Sequence, residues 1–176
     1  FGNLVLKSFF EAADKGELNT SCRSVTLEHP CKRDTGEVTE TTLRLDIMIR
    51  TQDAIIGIEN KINAPLYNDI ATYKKELEYL EVKHEARNHH AFVLSLRSIN
   101  ETKKLIDSSF VPVQYLDFIK KVRENMKGIN YDMGNKYAFM LNDFLDTLKS
   151  YKMSVINDEE KYKFYQSKRD SIKSFF

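Results

Sequence analysis

Apolar residues along this chain follow two rhythms, and the switches between them predict its elements. Leu6, Phe9, Phe10 and Ala13 recur at helical spacing, which predicts a first helix ending near Gly16. Ser24 to Glu28 reads as a strand, and Asp34-Thr35-Gly36 as turn chemistry after it. Two further strands follow, Leu43-Arg44-Leu45-Asp46-Ile47-Met48-Ile49 and Ile55-Ile56-Gly57-Ile58-Glu59-Asn60-Lys61. Pro65 then marks a helix start, and Leu66, Ile70, Tyr73, Leu77 and Leu80 form its apolar stripe. His90 to Arg97 reads as a buried strand and Val111 to Leu116 as a shorter one. Helices are predicted over Asp117–Met126 and Lys136–Met153, and a charged helical tail from Asp158.

That order is a helix, three strands as an antiparallel meander, a helix, two strands, then helices. The strand–helix–strand step from Lys61 to Phe92 predicts a right-handed crossover between parallel neighbours, and so a mixed sheet in an α/β fold. No repeat, low-complexity stretch or Pro/Gly/Ser linker interrupts the chain. Residues 1–176 therefore read as a single domain, with a core over about 1–126 and a helical extension over about 127–176.

The strand pair breaks its own pattern in one respect: each apolar run carries charge. A carboxylate or ammonium is so costly to bury that it survives in a core only when paired, bound to metal or engaged in chemistry. If Gln52 and Asp53 form a two-residue hairpin loop, Thr51 faces Ala54 and the register sets Asp46 opposite Glu59. Lys61, two residues further on, falls on the same face as Glu59. A three-residue loop would turn Asp46 away. Two hard anionic ligands, Asp46 and Glu59, with the backbone carbonyl of Asn60, suit a Mg²⁺ that keeps several waters. A lysine beside such an ion can orient an attacking water and stabilise charge growing on a phosphoryl oxygen.

Asp46 on one strand followed by Glu59-Asn60-Lys61 on the next resembles the signature of the PD-(D/E)xK nuclease superfamily. The text Ile58-Glu59-Asn60-Lys61-Ile62 is most similar to its bacterial and phage branch with an "IENKI" strand. The resemblance implies a three-layer α/β/α restriction-endonuclease-like core and Mg²⁺-dependent hydrolysis of DNA, with Mn²⁺ able to substitute. It implies in-line attack of water on phosphorus, a 5′-phosphate product, and catalytic roles for Asp46, Glu59 and Lys61. The alternatives are RNA cleavage on the same fold and an inactive copy serving as a binding or assembly module. In this branch the helix after the Glu-x-Lys strand carries an amide and a tyrosine, which points to Asn68 and Tyr73. Many members add a glutamate from the first helix, for which Glu11 is the matching residue.

Composition excludes little. Lys plus Arg number 27 against 26 Asp plus Glu, a formal charge of +1, so a nucleic-acid surface must come from local patches such as Lys74-Lys75, Lys103-Lys104 and Lys120-Lys121 with Arg123. No apolar run approaches membrane-spanning length, and the chain reads as soluble and cytoplasmic. Cys22 and Cys31 read as free thiols.

Overall fold

The computed structural model describes residues 2–31, 43–62, 70–96, 99, 105, 107–127, 141–147 and 150. The chain divides into two compact units, Phe1–Gly128 and Ile129–Phe176. In the second, residues 141–147 are helical. Asp34-Thr35-Gly36, Pro65, Asn68, Lys103-Lys104 and the tail from Asp158 lie outside the described residues.

The first unit runs α1 (Gly2–Ala12), β1 (Cys22–Cys31), β2 (Leu43–Thr51), β3 (Ala54–Lys61), α2 (Ile70–Lys83), β4 (Asn88–Ser95), β5 (Phe110–Gln114) and α3 (Tyr115–Met126). The strands form one five-stranded sheet in the order β1-β2-β3-β4-β5. β1, β2 and β3 pair antiparallel, while β3–β4 and β4–β5 pair parallel. This is the mixed α/β sheet that the sequence predicts.

Helices cover both faces. On one, the α2 stripe of Ile70, Tyr73, Leu77 and Leu80 packs in one core cluster with Leu45, Met48, Ile55, Ala91 and Val93. On the other, the Phe9 ring of α1 meets Phe92 of β4 at 5.2 Å and Phe118 of α3 at 5.7 Å, both edge-on. Each large apolar side chain buried this way contributes about 1.5–3 kcal/mol. An apolar cleft of about 390 Å³ opens on that second face, lined by Leu6 and Phe9 of α1 and by Val25, Ile47, Ile49 and Ile58 of the sheet.

The helix ends are set by backbone hydrogen bonding more than by glycine. Asp14 takes φ 54° while Lys15 N–H reaches Phe10 O at 2.7 Å and Asp14 N–H reaches Glu11 O at 3.3 Å, closing α1 before Gly16. Glu85 repeats the arrangement after α2, with φ 51°, its N–H reaching Val82 O at 3.2 Å and the Ala86 N–H reaching Glu81 O at 3.0 Å. β5 stops at Gln114, so Tyr115 and Leu116 belong to α3 rather than to the strand the sequence suggested. Asp117 lies in that helix's first turn, where a carboxylate favours a helix start.

Candidate functional site

The β2–β3 hairpin turns through Gln52-Asp53, and its pairs run Arg50↔Ile55, Ile49↔Ile56, Met48↔Gly57 and Ile47↔Ile58. This is the register of a two-residue loop. The next pair, Asp46 with Glu59, is not formed. β2 nevertheless continues against β1 to Leu43, and β3 continues against β4 to Lys61. The sheet therefore forks beyond Ile47 and Ile58, and Asp46, Glu59, Asn60 and Lys61 line the fork.

The cause is a break in the strand period at Asp46. Leu45 and Met48, three apart, both join the α2 core, while Ile47 and Ile49 line the α1 face. Strand alternation alone would separate Leu45 from Met48. Glu28 lies opposite the same point in β1, between the pairs His29↔Leu45 and Leu27↔Ile47, and has φ 53°. Both strands swivel there. The Asp46 carboxylate consequently lies along the sheet, where its Oδ2 accepts the backbone N–H of Asn60 at 2.6 Å.

Glu59 and Lys61 point to the α2 side. Glu59 is 1% exposed. Its Oε1 lies 2.6 Å from Lys61 Nζ, and the Lys61 side chain is 13% exposed. Two residues before Glu59, Gly57 gives Leu45 and Leu77 room to close the floor. Leu96 N–H donates to the Lys61 carbonyl at 3.1 Å, so Lys61 turns its backbone groups toward β4. Alternation then turns the Asn60 N–H and carbonyl toward β2 and the fork.

Of the other residues singled out in the sequence, Tyr73 is 1% exposed and its hydroxyl donates to the Arg44 carbonyl at 2.8 Å. It anchors β2 two residues from Asp46 as part of the core. Glu11 stands elsewhere: its Oε2 accepts from Asn125 Nδ2 at 2.8 Å, and its Oε1 lies 3.7 Å from Lys7. Asn125 is about 15 Å along α3 from Tyr115, at the end of that helix remote from the fork. Lys120 and Lys121 both face Glu124, at 4.0 and 3.3 Å, which dilutes that basic patch.

Sequence reasoning missed Tyr115. Its hydroxyl donates to Asn60 Oδ1 at 2.8 Å. Burial, reinforced by the Asp46 charge, pushes that hydroxyl up to about 12, so it remains a donor at neutral pH. A signal existed in the apolar Val111–Leu116 run, but reading it as strand throughout hid the helix start at which a side chain can turn back over the sheet.

The donor set suits a hard divalent cation. Two carboxylates and one lysine leave the fork formally one negative charge, and a carbonyl is aimed into it. Among the described residues no cluster of three or more His, Cys, Asp or Glu side chains is gathered at one point. That is unlike a structural zinc site and compatible with Mg²⁺, which is held by one or two carboxylates and keeps its waters. Among the described residues no helix is long and apolar enough to cross a membrane. No curated protein and no solved structure matches the chain. A family model described as the PD-(D/E)XK nuclease superfamily matches residues 1–163, and the chain belongs to that superfamily of nucleases.

Proposed function

We propose that the fork is the active site of a Mg²⁺-dependent nuclease acting on DNA, with Asp46, Glu59 and the Asn60 carbonyl as metal ligands and Lys61 as the group serving the attacking water. The observation that carries this reading is the Glu59–Lys61 pair, 2.6 Å apart and buried where the sheet opens, with the Asp46 carboxylate on the adjoining amide. A pair serving the core alone has no need of a fork.

When bound, Mg²⁺ supplies Lewis acidity toward a phosphoryl oxygen and lowers the pKa of a coordinated water. The chain's own groups do the rest. The Asn60 N–H holds one Asp46 oxygen, which fixes the carboxylate while leaving Oδ1 for a ligand. Lys61 carries three N–H donors and directs one to Glu59. The other two can hold the attacking water and a non-bridging phosphate oxygen. At 13% exposure its charge is weakly screened, so it counts for more against charge developing in the transition state than a surface lysine would. Water oxygen bonds to phosphorus and gives up one proton to solvent as the bond to the 3′-oxygen breaks, and the leaving alkoxide takes up one proton from solvent. The products are a 5′-phosphate and a 3′-hydroxyl.

Incubating the purified chain with duplex DNA, single-stranded DNA and RNA, in Mg²⁺ and in chelator, tests the proposal. Mg²⁺-dependent DNA cleavage that disappears in Glu59→Gln and Lys61→Met is expected. Cleavage confined to RNA would replace the substrate. Metal-independent binding with no cleavage of any of the three would make the chain a binding module.

A further inference from the structure

The Asn60 side chain does nothing in the chemistry above, yet it is held by a buried tyrosine. Strand alternation places it on the α1 and α3 face, opposite to Glu59 and Lys61. There its Oδ1 accepts the Tyr115 hydroxyl at 2.8 Å, and Tyr115 is 4% exposed. The bond passes over a whole strand: Asn60 is on β3, and Tyr115 follows β5 directly, with β4 between them. Lys61, Ser95 and Gln114 form one row across the three parallel strands, so Asn60 is one residue before that row and Tyr115 one residue after it.

Three elements thus hold one short segment. β2 takes the Asn60 N–H through Asp46, α3 takes its side chain through Tyr115, and the segment after β4 takes the Lys61 carbonyl through Leu96 N–H. Of these bonds, the one from Tyr115 lies off the sheet plane. It acts through the side chain from the face of the sheet, and so adds to the in-plane bonds a further restraint on the Asn60 peptide.

We propose that Tyr115 is a positioning residue of this site: by gripping the Asn60 side chain it keeps the Asn60 carbonyl aimed into the fork, and so sets affinity for the divalent ion. The proposal rests on the metal-site reading above. Groups that orient a metal ligand from behind are typically worth about 10–100-fold in metal affinity. Tyr115→Phe deletes the hydroxyl and keeps the ring.

Mn²⁺ binding by titration calorimetry on the parent, Tyr115→Phe, Asn60→Ala and the double variant tests it. Tyr115→Phe should bind Mn²⁺ roughly tenfold more weakly, while its melting temperature in chelator stays near that of the parent. The double variant should bind no more weakly than Asn60→Ala alone, because Tyr115 acts through Asn60. In cleavage, the Mg²⁺ concentration for half-maximal rate should rise while kcat at saturating Mg²⁺ returns toward the parent's. Unchanged Mn²⁺ affinity in Tyr115→Phe, or losses that multiply in the double variant, would overturn the positioning role and leave the metal site standing. A parent that binds no Mn²⁺, or an Asp46→Asn variant that binds it equally well, would remove the metal-site reading and this inference with it. Asn60→Ala breaks the same bond from its other end, so either single variant gives the readout.

Discussion

Replacing Gly57 with alanine should destabilise the protein, and the structure says why. A Cβ at that position would lie 2.8 Å from Leu45 Cδ2, 2.8 Å from Leu77 Cδ1 and 3.0 Å from Leu77 Cδ2. Carbon atoms in comfortable contact are about 3.5–4.0 Å apart. Both leucines are 0% exposed, so neither can swing into solvent, and a close-packed interior offers little space for retreat. Overpacking of this kind costs about 1–3 kcal/mol. The gain of about 0.4–1 kcal/mol from a stiffer unfolded chain does not offset two such collisions. In a chain of this size the loss corresponds to a melting temperature lower by roughly 2–12 °C. Leu77→Ala alone should cost about 2–5 kcal/mol by opening a cavity. The new methyl would fill part of that cavity, so the double variant should lose less than the sum by about 0.5–3 kcal/mol. Thermal and urea melts of the four proteins measure the cycle. A Gly57→Ala variant as stable as the parent, or penalties that simply add, would refute the packing argument.

Other consequences are equally open to measurement. Lys61→Met takes the cation at 2.6 Å away from the buried Glu59 carboxylate and should cost about 3–5 kcal/mol in chelator. Adding Glu59→Gln should recover most of that loss, as paired urea melts would show. Cys22 is exposed, whereas burial and then the Glu76 charge push the Cys31 thiol from 9.0 up to about 12. A thiol-specific reagent at pH 8 should therefore modify Cys22 in the native protein and Cys31 only after unfolding. Burial, with Lys15 and His89, pushes His90 below its ordinary 6.5 against the opposing pull of Glu17 and Glu81, and its Nε2 makes no hydrogen bond among the described residues. A depressed folded-state value means the unfolded chain binds the proton first, so His90 lends stability above pH 6.5 that is lost as pH falls through its lower folded value. Urea melts from pH 8 to pH 5 should show a shallower decline for His90→Gln than for the parent.

The sheet was legible in the sequence because one face of each central strand must be buried. The register was read on the condition of a two-residue Gln52-Asp53 loop, and with that loop Ile49↔Ile56 and Met48↔Gly57 follow. The same rule failed one step later. A period of two cannot announce where it breaks, and at Asp46 the strand swivels so that Leu45 and Met48 share a core. Asp46 and Glu59 were read as directly opposed; instead Asp46 holds the Asn60 amide beside Glu59. The bond from Tyr115 was invisible for a related reason, since its partner Asn60 is fifty-five residues away and no local pattern records contacts across a sheet. The strand period did place Lys61 on the face of Glu59, and there it neutralises a glutamate 1% exposed.

The central claim is that Asp46, Glu59 and the Asn60 carbonyl hold a divalent cation, and anomalous scattering from a crystal soaked in Mn²⁺ tests it most directly. A single strong peak in the fork is predicted, within about 2.0–2.3 Å of a carboxylate oxygen from each of Asp46 and Glu59 and of the Asn60 carbonyl oxygen, with waters completing an octahedron. Lys61 should have drawn back from Glu59 Oε1 while staying beside it. No peak in the fork at saturating Mn²⁺, with Lys61 and Glu59 still locked together, would contradict the account and reduce the charged group to scaffolding.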